Sequence, residues 1–199
     1  NTLSNASTAG VLSIATGSTQ QYYAYARVRD KDEFVVVQDV TGSAKWSTPD
    51  DSTNSYIRVT TSPAGLTTGG GLVTGLSPSP PVTVQANFNA CPGSNYEFIT
   101  ADVQVSGVQS LSVQHDPAFD PAVPLVVGTR EALQVIATLN NGDMQDLSLQ
   151  SLLKATGSTN VLAFAGNMAS ALAVGTTDVT ATFGTYPPSP PLSISTQSA

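Results

Sequence analysis

The chain has one histidine, His115, and one cysteine, Cys91. One of each cannot make a typical zinc site, which takes four ligands of these types. Serine, histidine and aspartate all occur, but no G-x-S-x-G elbow accompanies them, so no triad is assigned. "GGG" at 69–71 lacks the lysine and following helix of a phosphate cradle and is read as a turn. Acidic side chains gather at Asp30, Asp32 and Glu33, at Asp50 and Asp51, and at Asp116 and Asp120. None matches an EF-hand loop, and solvated loop charges explain them. If calcium binds at all, the expected place is a domain junction near Asp116 and Asp120, since calcium takes several oxygen ligands. No catalytic residue is assigned.

Two aromatic features remain. Tyr23, Tyr25 and Arg27 alternate with Tyr22, Ala24 and Ala26. If the second set points inward, the first forms an outward face, and exposed aromatics beside an arginine are enriched in binding patches. Tyrosine's β-propensity alone would also place it on a sheet surface. Trp46, after Lys45, is either a carbohydrate-stacking side chain or, as preferred here, part of a core. Cys91 lies in a Pro-Gly insertion and reads as an ordinary thiol, with a chain-to-chain disulfide as the alternative. Asn5-Ala6-Ser7 is a formal glycosylation sequon. "PPSPP" at 187–191 is a stiff loop that either turns the chain or docks a partner.

The 199 residues suit one large domain or two of about 100. Hydrophobic residues make up 40%, enough for packed cores, whereas only 11% are charged. The net charge of −7 repels phosphate backbones, so nucleic acid is not an expected partner. No basic amphipathic stretch suits a membrane surface, and no apolar run approaches the roughly 18 residues that span a bilayer. A single cysteine excludes an internal disulfide. No signal peptide opens the sequence, so an exported protein would be a mature chain or an excised piece.

The elements that must position these residues are strands. "VTVQANF" alternates Val82, Val84, Ala86 and Phe88 with polar residues, and "REALQVIATLNNGD" does the same before an Asn141-Gly142 hairpin signal. "QYYAYARVRD" reads as another alternating strand. "DMQDLSLQSLLKA" at 143–155 fits a helix only partly, and short strands are preferred. Short strands separated by glycines and prolines indicate a β-sandwich.

The pattern occurs twice. Ala26 corresponds to Ala137, "QDVT" at 38–41 to "QDLS" at 145–148, and Trp46 to Leu153. "VQANF" at 84–88 corresponds to "VTATF" at 179–183, so Val179, Ala181 and Phe183 are core positions like Val84, Ala86 and Phe88. "ITADVQV" at 99–105 closes the first unit and "LSIST" at 192–196 the second. Two tandem sandwiches are expected, over 1–106 and 107–199.

The order apolar-Gly ("SIATG", "LVVG"), alternating strand, "QDVT", "KWS", "GLVTGL" and "VTVQANF" resembles the bacterial immunoglobulin-like domain, group 2. That family occurs in intimin- and invasin-like surface proteins and in some phage virion proteins. "SALAVGTTDVTATFG" is the second copy's version. The resemblance spans nearly all of 11–199 and implies an all-β chain of two tandem immunoglobulin-like β-sandwich domains, without a shared catalytic site or cofactor. Departures are "SPSPP" (77–81) in place of Gly-Thr, the insertion "NACPGSNYEF" (89–98), no tryptophan in the second unit, and a weak first strand, "NTLSNAS". The implied protein is a non-enzymatic extracellular module for display or adhesion at a bacterial surface, with a protein or glycan partner. Alternatives are a subunit of an assembly (virion decoration, tail component or surface filament) that pairs edge strands, and a carbohydrate-binding or spacer module of a polysaccharide-degrading enzyme.

Overall fold

The computed structural model describes residues 11–29, 35–60, 70–88 and 97–198. Chain contacts divide it into unit 1, Asn1–Gly107, and unit 2, Val108–Ala199. The described residues form strands, turns and loops, with no helix among them.

Unit 1 runs β1 (Leu12–Ala15), β2 (Thr19–Gln21), β3 (Tyr25–Arg29), β4 (Val35–Asp39), β5 (Lys45–Ser47), β6 (Ile57–Thr60), β7 (Leu72–Gly75), β8 (Val82–Phe88) and β9 (Glu97–Ser106). They form the sheets β1-β9-β8-β5, β2-β7-β6 and β3-β4. Strand β1 joins β9 in parallel; the other pairs are antiparallel. One core holds Val82, Val84 and Ala86 of β8, Val103 and Val105 of β9, and Ala26, Ile57 and Val73 from the other sheets. Alternation explains this membership, because successive strand residues face opposite sides of the sheet. Phe88 ends β8, with its side chain outside the described set.

Unit 2 runs β10 (Val108–His115), β11 (Leu125–Val126), β12 (Arg130–Leu139), β13 (Met144–Asp146), β14 (Leu152–Ala155), β15 (Leu162–Ala165), β16 (Met168–Ala171), β17 (Gly175–Thr182) and β18 (Leu192–Gln197). Its sheets are β10-β12-β16-β15, with β13 also on β12, and β11-β18-β17-β14. Val179, Ala181 and Phe183 are buried, as is Leu153. The stretch 143–155 is two short strands and a turn. The Asn141-Gly142 signal closes β12–β13 through a three-residue loop. Gly142 takes φ +89°, and Leu139 both donates to the Asp143 carbonyl and accepts from the Gly142 N–H. That is a type I turn with a bulge rather than a two-residue turn.

Register supports the repeat at bond level. Ala26 faces Gln38 and Ala137 faces Gln145; Trp46 faces Ala86 and Leu153 faces Ala181. The Ala24 N–H donates to Thr41 Oγ1 at 2.8 Å, and the Val135 N–H to Ser148 Oγ at 2.9 Å. In each unit a hydroxyl after an aspartate therefore stands in for a missing strand carbonyl. "QYYAYARVRD" differs from the single strand expected of it: β2 and β3 are separated at Tyr22–Ala24. There the chain leaves β7 and takes up β4 as its partner, whereas β12 stays continuous through the same exchange. Tyr22 packs half-buried against the core without a hydrogen-bond partner for its hydroxyl, and burial pushes its pKa up to about 12.

The proline-rich stretches share one device. Ser79 donates its N–H to the Val105 carbonyl (2.9 Å), and its Oγ accepts from the Val105 N–H (3.2 Å). Ser189 does the same with Ala181, at 2.9 Å both ways. Each serine lies between prolines, which have no N–H to offer a ladder. The buried serine thus supplies both a donor and an acceptor where the strand begins.

Gly70 and Gly71 do not cradle a phosphate; they seat Trp46. A Cβ on Gly71 would stand 2.5 Å from the Tyr22 carbonyl and 2.7 Å from the indole ring. The buried indole donates Nε1–H to the Thr41 carbonyl at 3.0 Å. Trp46 is therefore a core side chain.

Candidate functional site

The alternation that buries Ala24 and Ala26 turns Tyr23 and Tyr25 to solvent, 60% and 53% exposed. Their rings stack with centroids 6.5 Å apart and planes inclined by 29°. In the β3–β4 register Tyr25 faces Asp39 and Arg27 faces Val37. Residues opposite each other in a ladder share a sheet face. Asp39 and Val37, the latter 61% exposed, therefore extend the face named from sequence. Arg27 keeps its place in the ladder; its side chain is outside the described set. The hydroxyl of Thr41 and then its backbone N–H hold the Asp39 carboxylate below the usual aspartate range. Asp39 and Val37 were not named from sequence because the register of β3 on β4 decides where they lie. The matched "QDVT" and "QDLS" stretches were the available signal.

Unit 2 provides an internal control. Ala26 corresponds to Ala137, so Tyr23 and Tyr25 correspond to Gln134 and Ile136, and Ile136 faces Asp146 as Tyr25 faces Asp39. The strand and the aspartate are common to both units and belong to the fold. The aromatic pair is peculiar to unit 1.

His115 ends β10 inside unit 2, and its Nδ1 lies 2.6 Å from Oε1 of Glu131 on β12. The ring stacks on Phe119 at 5.4 Å and lines a cleft of about 140 Å³ with Leu125 and Ile194. Glu131 is buried, and its Oε2 has no hydrogen-bond partner. His115→Ala should destabilise unit 2 by about 3 kcal/mol, because it leaves a buried carboxylate unpaired. Urea unfolding should show most of that loss recovered in His115→Leu/Glu131→Leu; a single variant as stable as wild type contradicts the pairing.

Asp116 and Asp120 lie in the β10–β11 loop, each with Oδ1 accepting a backbone N–H two residues on, from Ala118 at 2.9 Å and Ala122 at 3.0 Å. The eight-residue strand β10 stands between Val108, where unit 2 begins, and this loop. Among the described residues no three His, Cys, Asp or Glu side chains converge. Asp51 is taken up by its own loop through three backbone N–H groups. Cys91, Asn5, Asp30, Asp32 and Glu33 lie outside the described residues. No helix among the described residues is long and apolar enough to cross a membrane.

The chain is thus an all-β protein of two units, with an exposed stacked pair formed by Tyr25 at the start of β3 and Tyr23 just before it. No protein-family model matches it, and no curated protein does. Among solved structures it is similar to domains 5–6 of the S-layer protein SbsC, with 16% identity over 98% of this chain and 96% of that one, at a TM-score of 0.36. It is similar also to the D00-D0 domain of intimin, with 16% identity over 94% and 96% and a TM-score of 0.26. Extracellular cadherin domains 1–5 of protocadherin gamma B2 give 13% identity and a TM-score of 0.30, and this chain spans 39% of that one. Likenesses of this size assign neither a family nor an activity.

Proposed function

We propose that the chain is a non-enzymatic extracellular structural or adhesion module, two tandem immunoglobulin-like sandwiches that present a binding face at a bacterial surface. The observation that carries the reading is the exposed Tyr23–Tyr25 stack, present in unit 1 and replaced by Gln134 and Ile136 in unit 2. Low charge content and the use of His115 and Asp51 within the structure accord with a binding module. The partner is a protein or a glycan, whose apolar faces stack on tyrosine.

The test is binding of the labelled chain to a glycan array and to immobilised surface proteins. Tyr23→Ala/Tyr25→Ala should weaken the signal at least about tenfold, a loss of about 1.4 kcal/mol, without moving the melting midpoint. Equal binding by the variant removes the face from the proposal. A second reading, a subunit of an extracellular assembly, is favoured by β14. This edge strand turns Leu152, 70% exposed, to solvent one turn from Leu149, 87% exposed. Exposed apolar edges are ready partners for another chain.

A further inference from the structure

The geometry points to a second copy of this chain as the partner of one sheet edge in unit 1, the stretch Tyr23–Arg29. In unit 2 the corresponding strand, β12, is paired on both sides: β13 and β16 take one edge and β10 the other. In unit 1, β7 and β4 take the first edge of β2 and β3, and no strand among the described residues takes the second. The direction of the backbone groups agrees. Val40 donates its N–H to the Ala24 carbonyl at 2.9 Å, and Ala24 donates its own to Thr41 Oγ1 at 2.8 Å. Groups alternate sides along a strand, so those of Tyr23, Tyr25 and Arg27 turn away from β4. Their counterparts Gln134, Ile136 and Thr138 turn to β10, opposite Gln114, Ser112 and Ser110. This edge is unlike the others. The free edges of β1, β4, β5 and β6 recur in β11, β13, β14 and β15 of unit 2, so they belong to the fold.

An unpaired edge accepts an added strand, and the residues along it select which one. Set antiparallel against itself, the row Tyr23, Tyr25, Arg27, Arg29 meets Arg29, Arg27, Tyr25, Tyr23. Each tyrosine stands opposite an arginine, two types that attract, and no arginine stands directly opposite another. On the alternate positions Ala26 meets Ala26 at the two-fold axis and Ala24 meets Val28, small and apolar throughout. The counterpart stretch of unit 2, residues 134–140, contains no charged side chain and is already covered by β10. The contact uses the same patch on both copies, so it closes at a dimer and joins the two tyrosine faces on one sheet. It goes beyond the reading above, which needs only the tyrosine rings and a protein or glycan partner.

Sedimentation velocity from micromolar to millimolar concentration should show a monomer–dimer equilibrium. Tyr25→Arg sets arginine against Arg27 of the second copy, twice by symmetry, and should weaken the dimer at least about tenfold with unchanged melting. Tyr25→Arg/Arg27→Tyr exchanges the two types and should restore it. Cross-linking in a Cys91→Ser background tests the register. Tyr25→Cys mixed with Arg27→Cys should oxidise to a disulfide dimer, since directly opposed residues lie about 5.5 Å apart, within disulfide reach. Either variant alone should not, because its two cysteines are diagonal, at about 7–8 Å. A wild type that is monomeric throughout overturns the inference. So does an exchange variant no tighter than Tyr25→Arg, or single variants that cross-link as fast as the mixture. A chain that dimerises only once residues 1–10 are removed assigns the edge to that segment and overturns it as well. A monomer whose glycan or protein binding is lost in Tyr23→Ala/Tyr25→Ala removes only the dimer; a dimer that binds neither keeps the edge contact and removes the adhesive role.

Discussion

Gly71→Ala should abolish cooperative melting of unit 1 or lower its stability by at least about 3 kcal/mol. Gly71 has φ +78°, a left-handed conformation that costs a side-chain-bearing residue about 1–2 kcal/mol. The new methyl would also meet backbone at 2.5 Å and the Trp46 ring at 2.7 Å, and neither is the free end of a flexible chain. Trp46 is the only tryptophan, so its emission reports unit 1 and leaves unit 2 silent. A second substitution makes the cause testable. Trp46→Leu in the Gly71→Ala background, followed by circular dichroism because it lacks the tryptophan, should recover part of the loss, since Leu153 fills the corresponding place in unit 2. The strain at φ and the carbonyl contact would remain. If Gly71→Ala melts within about 1 kcal/mol of wild type, the indole does not rest on this turn.

Asp51→Ala should cost about 3 kcal/mol. The buried carboxylate accepts N–H bonds from Ser55 at 2.8 Å, Tyr56 at 2.8 Å and Ile57 at 2.9 Å, and a hydroxyl from Thr53 at 3.3 Å. Ser55 and Tyr56 are exposed and can turn to water. Ile57 is buried and would be left with an orphan donor, which is where most of the cost arises. Burial raises the carboxyl pKa, but the three N–H bonds and the Thr53 hydroxyl outweigh it and hold the group below 3.8. A folded value below the unfolded one contributes stability that is present above the unfolded pKa and is lost as pH falls through the folded one. The gap between wild type and Asp51→Ala should therefore be constant above about pH 5 and narrow towards pH 2, followed by urea unfolding in steps of pH. A gap independent of pH would mean that the loop is held by contacts other than the charge.

Much of the fold is legible because alternation is local. In "VTVQANF" the choice of which residues face inward needs only the sequence itself, and Val82, Val84 and Ala86 are buried accordingly. The repeat is legible for the same reason. "QDVT" and "QDLS" mark an aspartate and a hydroxyl at fixed spacing, and in both the hydroxyl residue donates its N–H to the aspartate while its oxygen accepts an N–H from the strand opposite. Tyr23 and Tyr25 are legible as a face because they alternate with Ala24 and Ala26, which are buried.

Three things were settled only by distant parts of the chain, and a fourth, Asp51, by the three-dimensional course of its own loop. Gly70-Gly71 could have been any turn until Trp46, more than twenty residues earlier, came to rest on it. Asp51 read as a solvated charge until its loop folded three N–H groups around it, and His115 until Glu131 met it across the β10–β12 ladder. Val37 and Asp39 joined the tyrosine face through the register of β3 on β4. The sequence by itself determined which residues alternate, where the chain turns and that the pattern occurs twice, because period and turn chemistry act between near neighbours. The tertiary structure alone decided which polar groups are buried, which glycines are compressed and which side chains share a face, because each depends on the three-dimensional course of the chain and most on residues brought together from far apart.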